Sequence, residues 1–143
     1  AFAEMKQFLA EKIKQSIIIV DDLSFSGKLS TRFNALAKVY CNSRKFMVSI
    51  CTTTQSYTSI SKNIRLQASG MIIFQTTNKE LDIIESENNY LLGGKKAFLK
   101  MFRSNVINRH DFLCINYSND FNNLYLDKNF KPLAEVANDK SLE

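Results

Sequence analysis

The chain contains few of the residues that interrupt helices and strands (Pro and Gly), and few that form disulfides or zinc sites (Cys and His). One Pro and four Gly among 143 residues exclude a linker-rich or low-complexity chain. The three cysteines, Cys41, Cys51 and Cys114, are widely spaced and form no CxxC pair, and there is one histidine, so a zinc site is not predicted. No apolar run approaches the ~20 residues of a membrane-spanning helix.

What the chain does contain is typical of a globular domain. Apolar residues make up 45% and charged residues 23% of the chain, and its length is enough for one domain with a core. The formal net charge of +5 is compatible with a nucleic-acid partner, although many proteins of this charge bind none. There is no initiator Met, and Leu142-Glu143 resemble a vector-derived remnant, so we expect a piece of a longer protein.

Hydrophobic patterns predict alternating helices and strands. The continuous β-branched run at residues 17–20 favours a strand buried on both faces. Residues 46–51 are a second strand candidate, and residues 70–74 predict a third, buried strand. Helical spacing of apolar residues predicts helices at residues 1–15, 30–43, 78–90 and 95–103. Asn78 is the expected N-cap of the third helix, and residues 59–68 are expected to form a loop with a helical turn.

The last third of the chain predicts a different local structure. The runs FLCINY (112–117) and LYL (124–126) flank the turn-rich SNDFNN, which predicts an antiparallel hairpin. Residues from Pro132 onward are expected to form a loose tail. Together the patterns predict an α/β fold with a mainly parallel sheet flanked by helices and a C-terminal β-hairpin.

Polar side chains follow the three apolar strands, at residues 21–22, 52–55 and 75–78. Ligands of parallel α/β sheets bind at the carboxyl ends of the strands. Any chemistry of this chain is therefore expected there.

The segment IIIVDD ends a buried strand in two acids, Asp21 and Asp22, which is the Walker B pattern of P-loop NTPases. Mg²⁺ keeps most of its waters and needs a nearby carboxylate on a rigid support, and a second carboxylate can activate the attacking water. The alternative is that two acids merely cap a strand and begin a turn.

No segment of the sequence is a phosphate-binding loop. The only Gly-Lys, Gly27-Lys28, is followed by Leu29 instead of Ser or Thr, and Asp22 stands where the first Gly of GxxxxGK[ST] belongs. We interpret SGKLS as a surface turn. The chain thus lacks a phosphate cradle (Walker A loop) of its own.

A longer pattern carries more information than any of these parts. IIIVDD, a helix, and then NSRKFMVSICTTTQSYTSISKNIRLQASGMIIF resemble the genome-packaging ATPases of large DNA viruses, virophages and related mobile elements, a branch of the FtsK–HerA superfamily. In that family an acid pair is followed by a helix, an Arg-containing turn, an apolar strand ending in TQ, and an IR segment before a second apolar strand. The resemblance covers roughly residues 16–89.

The resemblance implies the carboxyl-terminal portion of a RecA-like ASCE P-loop domain over residues 1–131, with a tail at 132–143. It implies ATP and Mg²⁺ as ligands of the intact parent, with Asp21 as the metal-binding acid, Asp22 as the catalytic acid and Gln55 as the sensor glutamine. The family often has Glu at the place of Asp22. The chain alone is expected to be inactive, because the half that bears Walker A is missing.

Two arginines fall at basic positions of the family pattern. Arg44 precedes the apolar strand that leads to Gln55, and Arg65 lies in NIRLQ. Either is a candidate arginine finger for a neighbouring subunit's site, which requires a homo-oligomeric ring. The alternative for each is a salt bridge or a solvated surface position.

A basic stretch near residue 100 is a weak candidate for DNA binding. On a helix, Lys96, Lys100 and Arg103 share one face, which can neutralise phosphates without reading sequence. The alternative is a solvated face whose interleaved aromatics, Phe98 and Phe102, pack into the core. Residues 57–63 are an equally eligible pore-facing loop.

These features predict part of an ATP-driven translocase that packages viral double-stranded DNA into capsids. The expected partners are double-stranded DNA, further copies in a ring, the missing amino-terminal half or another subunit completing the ATP site, and a capsid or portal-vertex protein. The expected location is the host cytoplasm, the viral factory or the virion. The alternatives are an FtsK–HerA-type motor of conjugation, segregation or a transposable element, and a non-catalytic DNA- or protein-binding module.

Overall fold

Two units make up the chain, Ala1–Gln67 and Ala68–Glu143. The structure is a computed structural model, and it describes residues 16–22 and 35–133. The helix expected over residues 1–15, the turn at Gly27-Lys28, the start of the helix expected over 30–43 and the end of the tail lie outside the described residues.

The first unit contains a two-stranded parallel sheet. Strands β1 (Ser16–Val20) and β2 (Val48–Thr52) pair with Ile18 opposite Ile50. Both strands are rich in β-branched residues, whose stiff side chains favour extended backbone. Met47 has a φ of 55° and makes the left-handed turn into β2.

Short helical segments flank β2 on both sides. Before it lie helix α1 (Ala35–Asn42) and a 3₁₀ turn (Ser43–Phe46). After it lie a 3₁₀ turn (Tyr57–Ser59) and helix α2 (Lys62–Arg65), which matches the expected loop with a helical turn.

The prediction that β1 is buried on both faces is wrong for this structure. Ile17 is 64% exposed and Ile19 is 68% exposed, and both project from the same face because side chains alternate along a strand. The short helices among the described residues of this unit do not cover that face of the two-stranded sheet. The apolar run therefore leaves an uncovered surface.

The second unit is built on a three-stranded antiparallel sheet. Strand β3 (Gly70–Phe74), helix α3 (Asn78–Asn88) and helix α4 (Gly94–Asn105) come first along the chain. Strands β4 (Phe112–Asn116) and β5 (Tyr125–Leu126) follow, in the sheet order β3-β4-β5. The most deeply buried side chains of this unit are Phe98, Ile84, Leu113 and Ile115.

The α/β class and the C-terminal hairpin are confirmed, whereas the direction of β3 differs from a simple parallel arrangement. β3 pairs antiparallel with β4, and β4 pairs antiparallel with β5. An apolar run predicts a strand but not the direction of its neighbour. Among the described residues, parallel pairing is confined to β1 and β2.

Two local predictions need correction. The N-cap of α3 is Thr77, whose side chain accepts a hydrogen bond from the Glu80 backbone N–H at 3.3 Å. Asn78 is already helical. Pro132 does not begin a loose tail, because Leu126 bridges Pro132 and the Leu133 N–H donates to the Tyr125 carbonyl at 3.0 Å.

A buried asparagine ties the hairpin to α3. Asn88 is 6% exposed, and it accepts from the Tyr117 hydroxyl through Oδ1 and from the Tyr125 hydroxyl through its carbonyl at 2.7 Å. Burial raises the pKa of Tyr125 to about 12, the largest effect acting on that hydroxyl. Such satisfied polar contacts fix how the helix packs on the sheet.

Candidate functional site

The tips of β1 and β2 lie side by side at their carboxyl ends. The Thr53 N–H donates to the Val20 carbonyl at 3.0 Å, which extends the ladder one step beyond the strands. Because the strands run parallel, the residues that follow each of them meet at one edge. The acids Asp21 and Asp22 and the polar segment after Thr52 are therefore neighbours.

The Thr53 hydroxyl contacts both acids. It donates to the Asp21 carboxylate at Oδ1, and it accepts from the Asp22 backbone N–H at 2.9 Å. Asp22 has a φ of 50°, a left-handed conformation that costs energy in residues other than glycine but is tolerated by Asp and Asn. The backbone thus turns sharply between the two carboxylates.

Gln55 completes the group. Its side-chain Nε2 donates to Asp22 Oδ2 at 3.2 Å. Asp21 and Gln55 are exposed and Asp22 is half-buried, so the cluster is open to a ligand from solution. The structure brings together the three side chains predicted to act at the strand ends.

This donor set fits a hard cation and a water molecule. Mg²⁺ prefers oxygen ligands and is usually held by one or two carboxylates together with substrate phosphates. No cluster of three or more His, Cys, Asp or Glu that could hold a metal alone occurs within residues 16–22 and 35–133. A carboxylate beside an amide can accept a proton from water and orient it, since the amide both donates and accepts.

The loop that carries Gln55 is closed by its own hydrogen bonds. The Thr54 and Ser59 hydroxyls lie 2.7 Å apart, and the Ser59 hydroxyl also donates to the Ser56 carbonyl at 2.7 Å. These bonds leave the backbone of the loop little freedom. The position of Gln55 is therefore set by a defined turn.

Arg65 fastens the same loop from α2. Its guanidinium donates to the carbonyls of Ile60 and Tyr57, and its Cζ lies 4.5 Å from the centre of the Tyr57 ring. The structure thus places the Arg65 guanidinium against the backbone and ring of the loop that follows β2.

Arg44 lies at the other end of β2. It belongs to the 3₁₀ turn Ser43–Phe46, which precedes the strand, whereas Gln55 follows it. The five residues of β2, at ~3.3 Å each, separate Arg44 from the acid pair of its own chain. The structure does not bring the two together.

The basic residues predicted to bind DNA lie on α4. Lys96, Lys100 and Arg103 are exposed and line a shallow surface groove together with Leu99 and Ser104. In the part of the chain that the structure describes, Lys96 and Lys100 have no carboxylate partner, whereas neighbouring Lys95 pairs with Asp82 at 2.9 Å. Arg103 donates to Asn78 Oδ1 at a long 3.5 Å.

The opposite side of α4 is apolar, as its sequence indicates. Phe98, Met101 and Phe102 are buried at helical spacing. The alternative expectation that these aromatics pack into the core is therefore confirmed, and it leaves the basic face directed to solvent.

Thr53 is the site residue that sequence reasoning missed. It lies inside the TTTQ segment that the strand pattern singled out, but nothing in three successive threonines indicates which hydroxyl meets the acids. The parallel register decides it, because Thr52 pairs with Val20 and Thr53 therefore lies beside the first acid.

The fold resembles that of a solved viral protein. It is similar to that of the genome packaging NTPase B204 from Sulfolobus turreted icosahedral virus 2, solved with ATP-gammaS (TM-score 0.59, 16% identity), AMPPCP (0.59, 18%) and AMP (0.58, 17%). Each match covers 82% of this chain and 56% of that chain, so the chain spans little more than half the length of B204. The chain therefore shares the α/β fold of the matched part of B204.

Sequence comparison leads to the same class. The family model described as Poxvirus A32 protein matches residues 2–132. The chain belongs to the Poxvirus A32 protein family, which confirms the resemblance to viral genome-packaging ATPases. No curated protein sequence matches the chain significantly. None of the helices within the described residues is long and apolar enough to span a bilayer.

Proposed function

We propose that the chain is the part of an ATP-driven viral DNA-packaging motor that carries the Walker B acids and the sensor glutamine. The observation that carries this proposal is the contact of Gln55 with Asp22, beside Asp21, at the tips of two neighbouring parallel strands. Membership of the Poxvirus A32 protein family supports a viral packaging motor. The similar fold of B204, which was solved with ATP analogues, supports a nucleotide as the ligand.

Each site residue has a role in this proposal. Asp21 holds Mg²⁺, which when bound shields the negative charge of the nucleotide phosphates. Asp22 accepts a proton from the attacking water, and Gln55 orients that water through its amide. The hydrogen bond from Gln55 to Asp22 holds the two side chains close enough to share one water.

The phosphates need a cradle that these 143 residues do not encode, since GxxxxGK[ST] is absent from the sequence. In this proposal the predicted amino-terminal half, or another subunit, supplies it. The exposed face of Ile17 and Ile19, and the outer strand edges of the two-stranded sheet within the described residues, offer a surface for such an addition. Without the cradle ATP binds weakly, because each missing hydrogen bond to phosphate costs about 1.5–3 kcal/mol.

An arginine finger in a ring would come from a neighbouring copy. Arg44 is the better of the two candidates, because the guanidinium of Arg65 already contacts Ile60 and Tyr57 within its own loop. A finger acting in trans places positive charge on the transferred phosphoryl group.

The basic face of α4 is the proposed DNA contact. Lys96, Lys100 and Arg103 present three positive charges on one exposed helix face. Such a face binds backbone phosphates irrespective of sequence, which is what a motor that moves along DNA requires.

Complementation tests the catalytic proposal. The chain is combined with its predicted amino-terminal half, Mg²⁺ and ATP, and phosphate release is measured for wild type, D22N and D82N. We expect D22N to lower turnover by about 10²–10⁴-fold, the usual contribution of a general base. D82N is the matched control, since Asp82 is an exposed acid on α3 paired with Lys95.

Turnover by the wild-type mixture that is no higher than that of D22N would contradict the catalytic proposal. A mixture that binds DNA without hydrolysing ATP would instead favour a non-catalytic DNA-binding module. Loss of turnover in D82N equal to that in D22N would show a general effect of removing an acid.

A further inference from the structure

The two acids after β1 do not follow the geometry of a regular strand. Successive side chains of a strand point to opposite faces, so a continued strand would direct Asp21 and Asp22 away from each other. The left-handed backbone of Asp22, with a φ of 50°, breaks that alternation. Residues in such conformations persist only where surrounding contacts hold them.

Two contacts at this turn share one hydroxyl, that of Thr53. A threonine hydroxyl has one proton to donate and can accept further hydrogen bonds. Thr53 donates its proton to Asp21 Oδ1 and accepts the N–H of Asp22. The same oxygen thereby fixes the carboxylate of the first acid and the backbone of the second.

We propose that Thr53 is a positioning residue for the acid pair, holding the Asp21 carboxylate and the left-handed turn at Asp22 so that both acids and Gln55 meet at one site. This inference rests on the proposed function. In the proposed reaction Thr53 contacts no reacting atom, and it acts only through the two aspartates. Groups that orient metal-binding carboxylates in this way typically change metal affinity or activity by 10–100-fold when removed.

The chain offers a matched control one residue earlier. Thr52 is the last residue of β2, and its hydroxyl is buried with no hydrogen-bond partner among the described residues. Because side chains alternate along the strand, Thr52 and Thr53 project from opposite faces. Replacing Thr52 by valine therefore removes a hydroxyl of the same kind without touching the acids.

Amide hydrogen exchange tests the geometry independently of any activity. In the 143-residue chain, we expect the Asp22 N–H to exchange at least fivefold faster in T53V than in wild type, because its acceptor is gone. T53S keeps the hydroxyl and should restore slow exchange, and T52V should leave it unchanged. Unchanged exchange at Asp22 in a folded T53V would overturn the inference.

Turnover in the complemented protein tests the consequence. T53V should lower kcat by about 10–100-fold and raise the Mg²⁺ concentration that gives half-maximal rate. The KM for ATP should change little, because Thr53 does not contact the nucleotide in this proposal. T53S should recover most of the rate, and T52V should match wild type.

The outcomes separate this inference from the proposed function. If wild type shows no turnover above D22N, the proposed function fails, whereas the exchange result still decides the geometry. If wild type is active, D22N is inactive and T53V matches wild type in kcat and in Mg²⁺ dependence, the positioning role alone is overturned. Equal loss of rate in T53S and T53V, in folded proteins, overturns it as well, because the hydroxyl would then not be the group that matters.

Discussion

At the scale of single residues, the chain uses short polar side chains to satisfy the hydrogen-bonding groups of its turns. Asp111 is the clearest case in the second unit. The Lys128 ammonium donates to its Oδ1 at 2.8 Å, and the Asn108 backbone and side chain both donate to its Oδ2. These donors, led by Lys128, lower the pKa of Asp111 from 3.8 to about 2.

This lowered pKa predicts the pH dependence of stability. A carboxyl whose pKa is lower in the folded state contributes stability above its unfolded pKa and loses it as pH falls through the folded value. The Asp111 contribution should therefore be complete above pH ~4 and decline between pH ~4 and ~2. Chemical denaturation across this window should show the decline in wild type and a smaller one in D111N. Parallel curves for the two proteins would contradict the assigned contact.

The same scale shows what sequence reasoning can and cannot reach. The meeting of Asp22 with Gln55 follows from two apolar runs that end in polar residues, provided that the strands are parallel neighbours. The contacts of the Thr53 hydroxyl and the left-handed turn at Asp22 do not follow from the sequence. They depend on the exact pairing of the strands, in which Val20 lies opposite Thr52. Such contacts are properties of the folded backbone, and no residue type in TTTQ encodes them.

At the scale of elements, apolar runs predict where a strand lies, but not its pairing direction or the cap of a helix. The apolar run GMIIF predicts β3 with its bounds, Gly70–Phe74, since Phe74 is followed by polar residues. The direction of its neighbour was not predictable, because the sequence between β3 and β4 contains two helices and permits either orientation. The start of α3 was misplaced by one residue, since both Thr77 and Asn78 are good N-caps.

The cap assignment makes a direct prediction about α3. T77A should destabilise the second unit by ~1 kcal/mol, because the Glu80 N–H loses the Thr77 hydroxyl as an acceptor, whereas T77S should cost a few tenths. N78A should cost less than T77A. Urea denaturation of the three variants measures this, and a larger cost for N78A would place the cap at Asn78 after all.

At the scale of the whole molecule, the distribution of charge matters more than its total. The net charge of +5 is modest, but the exposed face of α4 collects Lys96, Lys100 and Arg103 without carboxylate partners for the two lysines among the described residues. Lys95, one position earlier, is paired with Asp82, and that hydrogen bond raises its pKa. A nucleic-acid phosphate backbone is therefore expected to bind Lys96 and Lys100 more strongly than Lys95.

Salt dependence of DNA binding tests this face. In K96Q/K100Q, the slope of log K against log salt concentration for duplex DNA should become shallower by about 2, which is close to one unit for each phosphate that the protein no longer neutralises. K95Q should change the slope less, since that charge is partly neutralised by Asp82. Equal slopes for wild type and the double variant would exclude α4 as the DNA-binding face.

The central claim is that Asp21, Asp22 and Gln55 form one metal–nucleotide site once a phosphate cradle is supplied, and paramagnetic broadening tests it most directly. The chain is isotope-labelled, combined with its predicted amino-terminal half and ATP, and titrated with Mn²⁺ in place of Mg²⁺. We expect the amides of Asp22 and Thr53 and the side-chain amide of Gln55 to broaden first, and D21N to abolish this selectivity. Broadening that spares these residues, or that is unchanged in D21N, would contradict the claim.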